Sequence, residues 1–109
     1  MSLHKRPCAW NLEVRDWVHR YVLATCKLKE DRYGMSIWNM SVGEAYRRRG
    51  HAEQLIRRAK REASRANKRL WLRVDKSNIA AIALYEKCGF TKTTDIGSKE
   101  GKVYYQWKE

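Results

Sequence analysis

The sequence predicts a mixed α/β domain, a mainly antiparallel sheet with one central parallel strand pair and two flanking helices covering its faces. Three observations lead there. Short segments at 19–29, 35–42, 69–75 and beyond residue 90 alternate apolar and polar side chains with the two-residue period of half-buried strands. Two stretches of helical period, beginning at Gly50 and Asn78, interrupt them. The first helix lies between the second and third alternating segments, and a strand, helix, strand crossover makes the strands it joins parallel.

Each element has its own justification. In "HRYVLATCKLK" (19–29), Val22, Ala24, Cys26 and Leu28 share one face. The polar "EDRYG" turns the chain, and "MSIWNMSV" (35–42) returns as the second strand of a hairpin. From Gly50, residues Ala52, Leu55, Ile56, Ala59, Ala63, Ala66 and Leu70 fall within roughly a third of a helix circumference at about 100° per residue. Arg57, Arg61, Arg65 and Lys68 lie opposite, either a solvated back or a basic binding stripe. "RLWLRVD" (69–75) sets Leu70, Leu72 and Val74 against Trp71 and Arg73. Ser77 reads as the N-cap and Gly89 as the C′ residue of a helix over roughly 78–88. "FTKTTD" and "KVYYQWK" pair around "IGSKEG", Gly97 and Gly101 supplying the turn. The order is β, β, α, β, α, β, β, in a single domain spanning 1–109.

Composition bounds the function. A chain of 109 residues buries one modest core, roughly 65% of its unfolded surface. Lys and Arg number 24 against 12 Asp and Glu, so a net charge of +12 calls for an anionic partner: nucleic acid, ribosome or a phosphorylated cofactor. Cys8, Cys26 and Cys88 have neither C-x-x-C spacing nor a nearby histidine pair, which predicts reduced thiols and neither a disulfide framework nor a metal site. No apolar run reaches the ~20 residues of a membrane span, and "MSLHKRPCAW" lacks the apolar core of a signal peptide. A cytoplasmic protein is expected.

The stretch "YRRRGHAEQL" (46–55) carries the first chemistry. A strand that ends in a glycine loop and runs directly into a helix presents unpaired backbone N–H groups and the positive end of the helix dipole to one point. Such a point binds phosphate. Gly50 allows the backbone to approach the anion, and Arg47, Arg48 and Arg49 add charge around it. It is not a P-loop, because six residues lie between Gly43 and Gly50 and His51 stands where lysine should. It is not the dinucleotide fingerprint either, which needs three glycines.

Arg47, Gly50 and Ala52 fit the pattern Arg or Gln, two residues, Gly, one residue, Gly or Ala, with Val42 before it and Leu55 after it. "WLRVDKSNIAAIALYEKCGF" (71–90) follows. Together these stretches resemble the GNAT N-acetyltransferases, and within that family the ribosomal-protein-alanine N-acetyltransferases. The resemblance implies acetyl-CoA as acyl donor, no metal, and an amine-bearing acceptor, with a protein N-terminus as one candidate. It implies donor contacts at Met40, Val42, Arg47, Arg48, Arg49, Gly50, His51, Ala52, Asn78 and Tyr85. Backbone N–H groups near Asn39 to Ser41, where the family's strand has a bulge and the central parallel pair splays apart, would polarise the thioester carbonyl. Tyr85 would protonate the leaving sulfur, and Asn78 would hold the donor's arm. Independently of the resemblance, Asn78 and Tyr85 are seven residues apart, so they share a helix face about 10.5 Å apart, the length scale of a pantetheine arm.

Three departures from the family shape the expectation. Glu44 stands where the family has a proline, and "MSIWNMSV" contains no acid to serve as base. Glu44, or a water held by Asn39 or Ser41, are the alternatives. Without a strong base the acceptor should be a low-pKa amine, since at neutral pH about one lysine in 2,500 is uncharged but about one α-amine in 5 to 10. Only about forty residues precede the loop, room for two strands and a lead-in, where the family has a further strand and two helices walling the acceptor site. That shortened part predicts an open acceptor groove, closure by a second subunit in a homodimer that the five tryptophans (Trp10, Trp17, Trp38, Trp71, Trp107) could line, or donor binding without turnover. Two readings compete with an acetyltransferase: a basic RNA- or ribosome-binding module on the same scaffold, and a non-catalytic acyl-CoA sensor.

Overall fold

The computed structural model describes residues 9–16, 18, 19 and 21–109. Cys8, Trp17 and Arg20, which entered the thiol, aromatic and strand expectations, lie outside the described residues, as do the first seven positions. The elements are β1 (Ala9–Arg15), β2 (Val22–Asp31), β3 (Gly34–Val42), a 3₁₀ turn (Glu44–Tyr46), α1 (His51–Arg65), β4 (Leu70–Asp75), α2 (Ile79–Lys87), β5 (Thr91–Thr93) and β6 (Lys102–Trp107). They form a six-stranded sheet in the order β1-β2-β3-β4-β6-β5, antiparallel except for β3 and β4. The mixed, mainly antiparallel fold with one central parallel pair is therefore the one expected.

One strand was not anticipated. β1 pairs along its whole length with β2, burying Leu12 and Val14 on the core face. Two buried apolar side chains in seven residues make a weak period, and the sequence reads there as a lead-in. The hairpin turn is tighter than "EDRYG" suggests, because Asp31 pairs with Gly34 and only Arg32 and Tyr33 turn. Gly34 is needed there: a Cβ would stand 2.4 Å from the carbonyl oxygen of Arg69, whose bond to the Met35 N–H, at 2.9 Å, ties the start of β3 to that of β4.

α1 buries Leu55, Ile56, Ala59 and Ala63, as its period requires. It stops earlier than the apolar count implied. Asn67 takes a left-handed conformation at φ 54°, the Lys68 N–H returns to the Ala63 carbonyl at 2.9 Å, and Leu70 becomes the first residue of β4. Lys68 therefore leaves the basic stripe and pairs with Glu30 at 3.2 Å, while Arg57, Arg61 and Arg65 stay exposed. α2 is capped by Asn78, whose Oδ1 accepts the Ala81 N–H at 3.2 Å, and not by Ser77.

The helices do not cover both faces of the sheet. The apolar face of α1 and the α2 residues Ala81, Ile82, Leu84 and Tyr85 pack on one cluster with Leu12, Leu28, Met35, Leu70 and Leu72. Leu28, Met35, Leu55 and Leu70 are fully buried, each contributing about 1.5–3 kcal/mol. On the other face an aromatic group replaces a helix. Trp71 is 6% exposed and meets Tyr33, Trp38 and Tyr104 at ring distances of 6.4, 5.7 and 6.1 Å. Indole donors fix the two tryptophans, Trp38 Nε1 to Ser36 Oγ at 2.6 Å and Trp71 Nε1 to Asp31 Oδ1 at 3.2 Å. Alternation set Trp71 opposite Leu70 and Leu72, and on that face edge-on and tilted rings bury it.

Candidate active site

β3 and β4 stay paired only at Met35↔Leu70 and Ser36↔Trp71. Beyond that point they diverge, and a bulge in β3 accompanies the divergence. Thr25 pairs with Ser41 but Lys27 with Trp38, so β3 holds one residue more than β2 between them, and Asn39 takes φ 53°. The expected bulge and splay are both present. Beyond Ser36 and Trp71 no β3–β4 ladder pair takes up the backbone polar groups of β3.

A cleft of about 490 Å³ fills the gap on the helical side. Its floor is the end of β3, with Met40, Ser41 and Val42. One wall is the arginine loop and the start of α1, bringing Tyr46, Arg47, Arg48, Gly50, His51 and Ala52. The other is α2, presenting Asn78, Ala81, Leu84 and Tyr85. A second cleft of about 390 Å³ opens on the aromatic face and is bordered by Trp38, Asn39, Arg73, Asp75 and Lys102. Met40, Asn78, Ala81 and Tyr85 line both, so the clefts meet at the splay.

The loop geometry explains its sequence. Gly50 caps α1 at φ 82°, a left-handed conformation that glycine adopts without penalty. A Cβ at this position would meet no protein atom within 4 Å, so within the fold itself glycine serves the backbone turn. Arg48, at φ 64°, is also left-handed. The first intrahelical bond runs from the Gln54 N–H to the Gly50 carbonyl at 3.0 Å, and no side chain caps the helix. The N–H groups of His51, Ala52 and Glu53 thus lack intrahelical acceptors where these residues line the cleft. Arg47 Nε donates to the Val42 carbonyl at 3.3 Å, bracing the loop on the end of β3. The positive helix end, Arg47 and Arg48 suit a phosphate group, and a cleft of this volume suits a small-molecule donor.

Not every expected residue reaches the cleft. Arg49 and Glu44 are exposed and absent from its lining. Two carboxylates border the clefts instead, and both hold ammonium groups: Glu53 pairs with Lys87 at 2.9 Å and Asp75 with Lys102 at 2.5 Å. Tyr46, Glu53 and Leu84 were not singled out from sequence. Tyr46 had a usable signal, being the one aromatic between β3 and the arginines.

Tyr85 stands on α2 with its ring edge-on to Phe90 at 5.9 Å. Burial pushes its phenol above the ordinary tyrosine range, the neighbouring thiols Cys26 and Cys88 adding to the effect. Its hydroxyl has no hydrogen-bond partner among the described residues. Cys26, under the same helix, is pushed up to about 11 by burial. Cys26 and Cys88 are free thiols. Among the described residues no group of His, Cys, Asp and Glu could hold a metal ion, and no helix is long and apolar enough to cross a membrane.

A sheet splayed beside a bulge, with a helix N-terminus and an arginine loop opening onto the gap, defines an acyl-CoA-type transferase scaffold. The profile of the Acetyltransferase (GNAT) family matches residues 7–90, and the chain belongs to that family. Among solved structures, a Bacillus anthracis protein assigned as a streptothricin acetyltransferase, in complex with acetyl coenzyme A, is similar at TM-score 0.83 and 24% identity, over 97% of this chain and 65% of its own. The ribosomal-protein-S18-alanine N-acetyltransferase of Escherichia coli is similar at 0.77 and 24%, over 95% of this chain and 71% of its own. The PaiA N-acetyltransferase of Thermoplasma acidophilum, in complex with coenzyme A, is similar at 0.81 and 14%, over 93% and 61%. The chain thus spans about two thirds of the length of the solved structures it matches. Among curated proteins nothing matches the sequence.

Proposed function

We propose that the chain transfers an acetyl group from acetyl coenzyme A to a primary amine, with the α-amine of a protein or peptide N-terminus as the acceptor. The observation that carries this reading is the convergence, in one cleft, of the unpaired start of α1, the splayed end of β3 and the Tyr85 phenol. Phosphates rest against Arg47, Arg48 and the N–H groups of α1, and the thioester end reaches toward Met40 and Tyr85. The neutral amine nitrogen attacks the thioester carbonyl carbon, forming the C–N bond. Backbone N–H groups near Asn39 to Ser41 stabilise the oxyanion, the C–S bond breaks, and the thiolate takes a proton from the Tyr85 phenol. The amine's proton leaves to water, because the carboxylates bordering the clefts already hold Lys87 and Lys102. That arrangement favours an amine that is already neutral near pH 7, as an α-amine is about once in 5 to 10 molecules.

Calorimetric titration with acetyl coenzyme A in moderate salt tests the donor site, followed by thiol release with peptides bearing free N-termini. Saturable binding near one site per chain with thiol release supports the reading. Binding without release on any amine leaves a donor-binding regulator, and rapid lysine ε-acetylation at neutral pH overturns the α-amine assignment. The exposed row Arg57, Arg61 and Arg65 favours a second, compatible reading, contact with RNA or the ribosome in the cytoplasm. Its mark is retention on RNA that falls steeply with salt and ignores acetyl coenzyme A.

A further inference from the structure

We infer that the acceptor amine carries an anionic group, a carboxylate or a phosphate, which Arg73 and Lys29 receive at the aromatic mouth of the second cleft. The inference rests on the transferase reading and concerns the half of the site that faces away from the helices. Donor contacts occupy the helical cleft, so an amine that attacks the same thioester approaches from the other side of the splay. That side is the 390 Å³ cleft, which shares Met40 and Tyr85 with the first.

Its mouth is organised around one ring. The Arg73 guanidinium carbon lies 5.2 Å from the centre of the Trp38 indole and the Lys29 ammonium 4.8 Å from it, so two cations share one aromatic group. Lys27 is paired directly across the ladder from Trp38 and emerges on the same face. Neither Arg73 nor Lys29 has a carboxylate partner among the described residues. The acids of this face are already engaged. Asp75 holds Lys102, Asp95 holds Arg69 at 2.9 Å, and Asp31 accepts from Trp71, Ser36 and the Tyr33 N–H. Arg73 is half-buried, and its hydrogen-bonding edge meets no anion among the described residues. Partial desolvation strengthens such a group toward an incoming carboxylate or phosphate, and its planar fork fits either in two-point fashion. A polycationic acceptor meets repulsion at the same place.

The test measures thiol release at neutral pH and fixed acetyl coenzyme A for matched acceptors: alanyl-alanine with a free carboxylate, its C-terminal amide, an amidated alanyl-glutamate, an amidated alanyl-lysine, and phosphoethanolamine against ethanolamine. The expected result is a kcat/KM about 10-fold or more higher for each anionic acceptor than for its neutral match, as loss of a charge-assisted hydrogen bond predicts. The free dipeptide against the amidated glutamate peptide separates a terminal carboxylate from an acidic side chain, and phosphoethanolamine adds the phosphate. Arg73→Gln should collapse the ratio and Arg73→Lys restore part of it, with Lys29→Gln reducing it separately. Thiol release that ignores acceptor charge, or a preference that survives both glutamine variants, overturns this inference alone. Release from none of the acceptors overturns the transferase reading and this inference with it.

Discussion

Ser36 and Trp71 are the last residues at which β3 and β4 remain in register, and the splay begins directly beyond them. The Ser36 hydroxyl also accepts the Trp38 indole N–H at 2.6 Å, so the final ladder pair and the aromatic group of the open face are held by the same residues. Trp71 is the wedge. Its ring meets Trp38 nearly perpendicular at 82°, and its own N–H is satisfied by Asp31. Trp71→Ala should destabilise the fold by about 3–5 kcal/mol, through lost burial and an orphaned Asp31 contact. Urea unfolding checks this, and Trp71→Phe should recover most of the loss.

Gly50→Ala separates conformational need from steric need. No atom stands near the added methyl group, yet the residue holds φ 82°. The substitution should cost about 1–2 kcal/mol of stability, the penalty of a left-handed alanine. It should also weaken acetyl coenzyme A binding, because relief of the strain re-aims the first N–H groups of α1. Thermal unfolding and calorimetry on one preparation read both effects.

Arg48 and Arg49 are neighbours with different surroundings. Arg48 lines the cleft on the helical side and Arg49 does not. Arg48→Ala should lower acetyl coenzyme A affinity about 10-fold, the scale of one charge-assisted contact, and flatten its salt dependence. A loss from Arg49→Ala as large as that from Arg48→Ala contradicts the placement of the loop.

Tyr85→Phe keeps the ring against Phe90 and removes only the hydroxyl. Turnover should fall about 10²–10⁴-fold with donor binding retained. Burial raises the phenol pKa, so the acid form persists to higher pH than in free tyrosine. The alkaline fall of kcat that belongs to Tyr85 should therefore lie above the ordinary tyrosine range and vanish in the variant.

Alkaline unfolding should reveal Cys26. Its thiol ionises near 8.5 in the unfolded chain, and burial moves it to about 11 in the folded one. Its stabilising contribution is complete below the unfolded value and is lost as pH rises toward the folded one, since only the unfolded chain releases the proton in that window. Urea midpoints should fall between those limits, and Cys26→Ala should reduce the slope even if it lowers the midpoint throughout.

The legible parts of the sequence were the ones that local period and spacing control. The strands around Cys26, Ile37 and Leu72, both helices, and the facing of Asn78 and Tyr85 along α2 could all be read in advance. So could the arginine loop, because a glycine placed between a strand and a helix dictates its own geometry. β1 was missed because its two buried residues pair with β2, Leu12 with Cys26 and Val14 with Ala24, a relation between distant positions that no local period reports. Ser77 was preferred to Asn78 as the cap because both residue types cap helices, and only the backbone path decides which oxygen faces Ala81. Glu44 looked like a base by proximity in sequence, yet the 3₁₀ turn leaves it exposed.

From its residues alone this chain declared a mixed sheet, a phosphate-seeking helix start and a motif shared with one transferase family. These are properties of neighbouring side chains and of short backbone geometry. The tertiary structure alone decided that both helices share one face, that the sheet parts after Ser36 and Trp71, and that Arg73 and Lys29 meet on Trp38 with no acid beside them among the described residues. Each of these depends on strand register, one inserted residue at Asn39 and the twist it brings. A shift of a single residue would move every one of those side chains to the opposite face.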